Sequence, residues 1–225
     1  MDKIRKRLES LYDPDHQQFL AALIPNIEKE RILGLRSPQL KALVKECWQE
    51  DRQQCLSFLQ ELPHRYFEED CLQMAFIGRE KDFENCIGQL EAFLPYVDNW
   101  AVCDGPLPAC FRQHRKELSE HIEKWLHSEE TYTVRYGIGC RMRLYLKEDY
   151  DPVFTAGICE IDSGEYYIEM MQGWYLATAL ISHPEILELL EKGRLPEGVR
   201  RKAIRKAIES YRITEEVKEK LRRRR

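Results

Sequence analysis

The amino-acid sequence predicts an all-α fold, and three observations lead to that prediction. Apolar residues recur at intervals of three and four along most of the 225 residues, as they do on one face of a helix. Helix start signals precede several of these segments. No segment shows convincing strand alternation, and Asp104-Gly105 runs into Pro106 instead of linking two apolar runs as a hairpin would. We therefore expect about twelve or more helices of about 9 to 17 residues, joined by short loops.

Four of the predicted helices have recognisable starts. Ser37-Pro38 and Asp151-Pro152 each place a capping residue before a proline at the first helical position. His183-Pro184 repeats this arrangement with a weaker capping residue. The last helix is predicted to start at Thr214, with glutamates in its first turn and basic residues in its last, as the helix dipole favours.

Two segments are typical of a helix, a short turn and a second helix. They are QQCLSFLQELPHRYFEEDCLQMAFIG and KELSEHIEKWLHSEETYTVRYGIGCRMRLYL. Stacked pairs of this kind form HEAT-type arrays, in which each pair buries its apolar stripe against its neighbours. No motif recurs at a fixed period, so a compact helical bundle is the alternative architecture. No linker interrupts the chain, and we expect one domain over residues 1–225 with a basic tail at about residues 214–225.

Composition narrows the class of protein. Hydrophobic residues make up 43% of the chain and charged residues 33%, which is typical of a helix-rich globular protein. No apolar run reaches the roughly 20 residues that cross a bilayer, and the amino terminus is charged throughout, so we expect a cytoplasmic protein without a membrane partner. The eight cysteines never form a Cys-x-x-Cys pair. This predicts reduced, largely buried thiols and neither a zinc site nor a disulfide framework.

The net charge of −4 hides a strong asymmetry. From Arg194 to the carboxy terminus, 13 Lys or Arg accompany 5 Asp or Glu, which leaves 22 against 34, a balance of −12, for residues 1–193. A basic end of this kind is suited to contact an acidic polymer. The alternative is a solvated helix that ends in a frayed tail of arginines, Arg222 to Arg225.

Three stretches carry residues suited to chemistry. The chain has no GxxxxGK[ST], HExxH or GxSxG motif, which argues against nucleotide, zinc-protease and serine-hydrolase sites. In VDNWAVCD, Trp100 and Asp104 lie four residues apart and would share a helix face. TVRYGIG contains Arg135, and its two glycines indicate close helix packing or close approach of a ligand. QGWYL contains Trp174.

Each of these residues also has a purely structural interpretation. Asp104 precedes Gly105-Pro106 and is a natural helix N-cap. Arg135 is a solvated residue or pairs with Glu129 or Glu130 under the same reading, and Trp174 is a core residue.

In order along the chain, these stretches resemble those of the DNA alkylation repair family of HEAT-repeat DNA glycosylases. The segment ILGLRSPQL, residues 32–40, is similar to that family's amino-terminal signature of an apolar pair, Gly, an apolar residue, Arg, a variable residue and Pro. VDNWAVCD, TVRYGIG and YYIEMMQGWYL follow in matching order and approximate spacing. The resemblance covers residues from about 16 to 210.

The resemblance implies a curved α-solenoid of antiparallel helix pairs whose concave groove binds DNA. It implies hydrolysis of the N-glycosidic bond of cationic alkylated purines in duplex DNA, of the N3-methyladenine and N7-methylguanine type. Asp104 would be the catalytic carboxylate, and the DNA contacts would be Trp100, Trp174, Arg135, Arg36 and Arg141. Arg112, Arg143, Arg201 and Arg205 are further basic residues available to a groove. We expect no metal, no cofactor and a monomer.

The residue types suit that chemistry. An alkylated purine already carries positive charge and leaves as a neutral base, so the reaction needs negative charge beside a deoxyribose that becomes oxocarbenium-like. Indole faces attract cationic groups, and arginine binds phosphate.

Two departures from the family pattern keep other functions open. Position 177 is alanine where many relatives have a basic residue, and the body of the chain is acidic, whereas duplex binding needs phosphate neutralisation. The first alternative is a non-catalytic HEAT-like module that binds a nucleic-acid structure or a protein. The second is a helical scaffold in which the four residues of the three stretches serve packing.

Overall fold

A computed structural model describes residues 2–147, 149–192 and 195–223 of the chain. Within these residues it contains fourteen α-helices and no strand, which confirms the all-α prediction. The predicted number of helices is right. The predicted lengths were too long, because the shortest described helix has 4 residues and the longest have 14. None of the described helices combines the length and the apolar character that a membrane crossing requires.

The chain divides into two compact units, residues 1–114 and 115–225. The helices of the first unit are α1 (Asp2–Glu9), α2 (Pro14–Leu23), α3 (Ser37–Glu50), α4 (Arg52–Phe58), α5 (Phe67–Ile77), α6 (Phe83–Phe93) and α7 (Trp100–Cys103). Short 3-10 turns lie at Lys29–Arg31, Leu94–Tyr96 and Ala109–Arg112. Phe58, Phe76, Phe93 and Phe111 are fully buried and contribute to the core of this unit.

The second unit has seven helices within the described residues. They are α8 (Arg115–Leu126), α9 (Thr131–Leu144), α10 (Pro152–Glu160), α11 (Tyr166–Ala179), α12 (Glu185–Glu191), α13 (Glu197–Glu209) and α14 (Glu215–Arg222). Its most extensive helix contacts join α8 to α9, α9 to α11 and α11 to α13. Neighbouring helices thus pack on one another in series, as stacked helix pairs do. Arg224 and Arg225 of the predicted basic tail lie outside the described residues.

Both predicted helix-turn-helix segments are confirmed, as α4 with α5 and as α8 with α9. The predicted starts at Asp151 and Thr214 are confirmed, and the Asp151 carboxylate accepts a hydrogen bond from Val153 N at 2.9 Å. The start at Ser37 was one residue late, because Arg36 is the N-cap and its N–H donates to Gln39 Oε1 at 2.8 Å. At His183, the N-cap is Pro184.

The cysteines are largely buried thiols, as predicted. All eight are free, and six of them are buried. Burial raises the pKa of the Cys55 thiol to about 11 and that of Cys140 to about 12. These thiols are therefore protonated at neutral pH and act as small apolar core residues.

Candidate functional site

The short helix α7 holds the two candidates of VDNWAVCD. Asn99 caps it, and its Oδ1 accepts a hydrogen bond from Val102 N at 2.9 Å. The Asn99 side chain is fully buried, and its Nδ2 donates to Asp98 Oδ1 at 3.0 Å. A buried cap with both ends of its amide bonded fixes where the helix begins, and therefore where Trp100 stands.

Asp104 ends α7, and the prediction that it caps the start of a helix is wrong. Its backbone N–H donates to Trp100 O at 2.8 Å, and Gly105 N donates to Val102 O at 3.2 Å. No helix begins at Asp104, because the residues up to Pro108 have no helical conformation. Trp100 and Asp104 are each half-buried, so both present some surface to solvent on one turn of helix.

A network of charged residues anchors the segment that leads into α7. Arg31 Nη1 lies 2.5 Å from Asp98 Oδ2, and Arg31 Nη2 lies 3.7 Å from Asp70 Oδ2. The Asn26 side-chain amide donates to the backbone carbonyl of Asp98. Asp70 is buried at the start of α5, and burial together with the charge of Asp98 raises its pKa to about 8, against the lowering effect of Arg31. Asp70 is therefore mostly protonated at neutral pH.

A cleft of about 400 Å³ adjoins α7 in the first unit. Ala101, Val102 and Gly105 line it from α7 and the turn that follows, and much of its remaining wall is apolar. Trp100 and Asp104 do not line this cleft.

The segment ILGLRSPQL is held by a buried carboxylate. Glu68 is fully buried and accepts backbone hydrogen bonds from Leu33, Gly34 and Leu35 at 2.9, 2.7 and 3.2 Å. Gly34 has φ +84°, and a Cβ there would lie 2.6 Å from Gln17 N. Only glycine fits this approach to α2 in the left-handed conformation, which is the physical basis of the glycine in this signature.

Arg36 follows that segment and is exposed. Its side chain has 59% of its surface accessible, and its Nη2 lies 3.4 Å from Asp13 Oδ2. An exposed pair of this type contributes little to stability and is screened by salt. Arg36 is therefore accessible to a phosphate.

Trp174 lies on α11 in the second unit and is 41% exposed, so the interpretation of it as a core residue is wrong. Gly173, the residue before it, lies where α11 approaches α13 closely. A Cβ on Gly173 would lie 2.8 Å from Lys202 Cβ and 2.9 Å from Ala203 N. The small residue permits this packing, and the packing fixes the helix that carries the tryptophan.

Arg135 is buried on α9, with 4% of its surface exposed. Its Nη1 donates to the carbonyl oxygen of Tyr167 at 2.7 Å, which ties α9 to the first turn of α11. Two glycines, Gly137 and Gly139, follow Arg135 on the same helix. Gly137 allows close helix packing, because a Cβ there would lie 3.2 Å from a methyl group of Leu126.

Arg141 is fully buried, and its predicted contact with DNA needs correction. Its guanidinium donates to Ser119 Oγ at 2.9 Å and to Glu123 Oε1 at 2.5 Å, and it lies 3.6 Å from the centre of the Phe154 ring. These contacts join α8, α9 and α10. A guanidinium without exposed surface has no access to a phosphate, so Arg141 serves the packing of the second unit.

Sequence reasoning missed the residues that position the candidates. Asn99 carried a usable signal, because an asparagine directly before an apolar helical segment is a strong capping residue. Asp70, Asp98 and Arg31 carried none, since they meet only through the tertiary fold. Among the described residues, no group of three or more His, Cys, Asp or Glu is arranged to hold a metal ion.

Comparison with known proteins identifies one family. The family model described as DNA alkylation repair enzyme matches residues 4–210, a span that includes most of both units. No curated protein matches the chain. The matched span includes the Glu68-bound signature, α7 and the part of α11 that carries Trp174.

Proposed function

The chain belongs to the family of DNA alkylation repair enzymes, and from that membership we propose that it is a monofunctional DNA glycosylase. Its proposed substrates are cationic alkylated purines in duplex DNA, of the N3-methyladenine and N7-methylguanine type. The observation that supports this most directly is the pair of Trp100 and Asp104 on a single turn of α7, with α7 fixed by a buried cap. No cofactor is required by the reaction.

The proposed reaction breaks the bond between C1′ of the deoxyribose and the purine nitrogen. The bonding electron pair goes to the base, which cancels its positive charge, and C1′ becomes oxocarbenium-like. The carboxylate of Asp104 stabilises that developing charge and orients the water that attacks C1′. The water loses one proton, and the products are a neutral base and an abasic site.

Selectivity for charged lesions comes from indole rings in this proposal. Trp100 is half-buried and Trp174 is 41% exposed, so each has a surface to offer the DNA. Indole faces attract cations, by about 0.5–2 kcal/mol depending on solvent exposure. A neutral purine gains less from these contacts and is also a poorer leaving group.

The proposed phosphate contact of the first unit is Arg36, whose side chain is largely exposed. Arg135 and Arg141 are buried, and the proposed phosphate contacts do not include them. Arg135 acts indirectly, because its hydrogen bond to Tyr167 supports the helix that carries Trp174.

Binding without catalysis is the second candidate function. It is favoured by the charge of −12 over residues 1–193 and by Ala177, which is buried and offers no cation to the DNA backbone. Such a module would retain the fold and bind a nucleic-acid structure or a protein without breaking a glycosidic bond.

One experiment separates the two candidates. The purified protein is incubated with a duplex that contains a single N7-methylguanine, and the free base is measured by chromatography. The glycosylase is expected to release the base and to leave an uncut strand that alkali then cleaves. Binding of the duplex without release of base above the protein-free rate would support the module instead.

A further inference from the structure

A chain of polar contacts runs from the buried start of α5 to the first turn of α7. Arg31 lies between two carboxylates, with its Nη1 2.5 Å from Asp98 Oδ2 and its Nη2 3.7 Å from Asp70 Oδ2. The other carboxylate oxygen of Asp98, Oδ1, accepts a hydrogen bond from Asn99 Nδ2 at 3.0 Å. Asn99 Oδ1 in turn accepts from Val102 N at 2.9 Å and caps α7. We call Asp70, Arg31, Asp98 and Asn99 the α7 anchor.

The backbone that carries Arg31 is held independently of the α7 anchor. Arg31 ends the first 3-10 turn of the chain. Gln17 of α2 is buried, and its Nε2 donates to the carbonyl oxygens of Lys29 and Ile32 at 3.1 and 2.7 Å. These two bonds secure the turn on both sides of Arg31. The guanidinium therefore reaches the carboxylates from a fixed point, and only its side chain has to move to change partner.

The two carboxylates compete for that one guanidinium. Asp98 is the closer partner and its side chain is 37% exposed, whereas the Asp70 side chain is 4% exposed. Burial, together with the charge of Asp98, raises the pKa of Asp70 to about 8, against the lowering effect of Arg31. At neutral pH Asp70 is mostly uncharged, so Arg31 serves Asp98.

Ionisation of Asp70 changes this balance. It places a second negative charge beside Arg31 at a site with little water, where charges interact more strongly than in bulk solvent. The new charge attracts the guanidinium and repels the carboxylate of Asp98. Both effects weaken the contact between Arg31 and Asp98, and Asp98 is the residue that holds the amide of Asn99.

The other charged groups around Asp70 are engaged elsewhere or are exposed. On α5 itself, Glu68 accepts backbone hydrogen bonds from the segment before α3, and Glu69 Oε1 lies 2.7 Å from Arg5 Nε of α1. The helices α3 and α6 also pack on α5. Their charged residues are all exposed, and these are Lys41, Lys45, Glu46, Glu50, Glu84 and Glu91. The charge of Asp70 therefore depends mainly on the α7 anchor itself and on burial.

We propose that the α7 anchor positions the candidate carboxylate of the site and that a proton on Asp70 controls this positioning. With Asp70 uncharged, Arg31 bonds to Asp98 and the cap holds the start of α7. Loss of the proton draws Arg31 toward Asp70, frees Asp98 and loosens α7. The members of the α7 anchor are positioning residues, since they act on Asp104 only through α7. The inference rests on the proposed function, because that function gives Asp104 its role.

The proposed reaction makes this control measurable. A cationic purine leaves as a neutral base, so no general acid of the protein has to give up a proton near pH 8 for the glycosidic bond to break. The rate is sensitive to position, because a misplacement of about 1 Å can cost on the order of 100-fold. A small loosening of α7 is therefore enough to slow the release of base.

The test measures single-turnover release of N7-methylguanine as a function of pH, with enough protein to saturate the duplex. The wild-type rate should fall about 5- to 10-fold from about pH 7 to about pH 9, as the protonated share of Asp70 falls from roughly 90% to roughly 10%. Asp70→Asn cannot ionise and should keep a level rate over this range. The ratio of the two rates at each pH cancels any effect of pH on the DNA.

Arg5→Gln is the matched control, because it removes the arginine from the neighbouring buried acid, Glu69, on the same helix. It should lower stability and leave the fall of the rate with pH as it is in the wild type. Arg31→Gln should lower the rate at every pH, and Arg31→Lys, which keeps the charge, should recover part of it. Circular dichroism checks that each variant is folded.

Hydrogen exchange keeps this test apart from that of the glycosylase. The amides of Cys103 and Asp104, which donate to the carbonyl oxygens of Asn99 and Trp100, report on α7. Their protection is compared with that of α6, with labelling times scaled to the intrinsic exchange rate at each pH. From about pH 7 to about pH 9, α7 of the wild type should lose at least about threefold in protection. The helix α6 of the wild type, and α7 of the Asp70→Asn variant, should keep theirs.

The outcomes of the two proposals can be told apart. If the wild type releases no base at any pH, the glycosylase fails, and the exchange of α7 still decides on the anchor. A wild-type rate that stays level to about pH 9, or an equal fall in Asp70→Asn, would overturn the anchor. Loss of the pH dependence in Arg5→Gln, or protection of α7 that does not change with pH, would overturn it as well.

Discussion

The backbone N–H of Asp104 donates a 2.8 Å hydrogen bond to the carbonyl oxygen of Trp100. One helical turn therefore sets the distance between the proposed catalytic carboxylate and the indole beside it. α7 has only four residues and little stability of its own. Its geometry depends on the groups that hold its ends, above all Asn99.

Replacing the cap should lower both stability and activity. Asn99→Ala removes the acceptor of Val102 N, and the free energy of unfolding should fall by about 0.5–2 kcal/mol. Base release under single-turnover conditions should fall as well, because α7, which positions Trp100 and Asp104, loses the residue that fixes its start. Urea unfolding and the single-turnover rate measure the two effects.

The matched control for that variant is Asp82→Ala, which removes the cap of α6, where Asp82 Oδ1 accepts from Asn85 N at 2.8 Å. It should cost a similar free energy and leave base release nearly unchanged. If both variants lose activity in proportion to stability, the cap of α7 has no special role in positioning the site.

Asp70 should make stability depend on pH. Its pKa is about 8 in the folded protein, raised by burial and by Asp98, and about 4 in an unfolded chain. The folded state holds the Asp70 proton more tightly than the unfolded chain does. Protonation of Asp70 therefore contributes to the free energy of unfolding, and this contribution is fully present below about pH 4. It is lost as pH rises to about 8, at up to about 1.4 kcal/mol per pH unit.

Asp70→Asn replaces the carboxyl group with an amide that does not ionise. This variant should therefore lose the dependence of stability on pH that Asp70 causes. The free energy of unfolding, measured in urea from pH 5 to pH 9, should fall less steeply in the variant than in the wild type. Parallel curves for the two proteins would show that the Asp70 carboxyl does not hold a proton in the folded state.

Gly173 should tolerate no side chain, because its Cβ would lie 2.8 Å from Lys202 Cβ and 2.9 Å from a backbone nitrogen of α13. Gly173→Ala is expected to destabilise the protein by about 1–3 kcal/mol through overpacking. Gly157→Ala on α10 is the control, since a Cβ there meets nothing within 4 Å. It should stabilise the helix by about 0.5–1 kcal/mol. Thermal unfolding of the two variants should shift in opposite directions, and a shift in the same direction would contradict the packing argument.

Trp174 should affect the reaction more than the fold. Trp174→Leu keeps an apolar side chain but removes the π face. The rate of N7-methylguanine release should therefore fall by up to about tenfold. Tyr211→Leu removes another exposed aromatic ring of the same unit, 93% exposed, and should leave the rate unchanged. Equal rates for the two variants would remove Trp174 from recognition of the lesion.

Local signals in the sequence predicted much of the fold. Asp151 and Thr214 start helices as expected, because capping depends on residues that are close in sequence. The same local reasoning failed for Asp104, since Asn99 five residues earlier starts a helix so short that it ends at the aspartate. A helix of four residues leaves no periodic pattern from which it can be recognised.

Residue type predicted the burial of polar side chains poorly. Arg141 looked like a surface cation, but Ser119, Glu123 and Phe154 together enclose it. Glu68, Glu69 and Asp70 are consecutive acids that look solvated, yet all three are buried because each meets donors or an arginine from a distant segment. Such partners are brought together only by tertiary packing.

Single-turnover release of N7-methylguanine from a duplex by Asp104→Asn tests the central claim most directly. Asn keeps the shape of the side chain and removes its charge, and Glu84→Gln, at an exposed position of α6, is the matched control. We expect the Asp104 variant to remain folded and to release base at least about 100-fold more slowly than the wild type, with the control unchanged. Release by a folded Asp104→Asn protein at the wild-type rate would contradict the account.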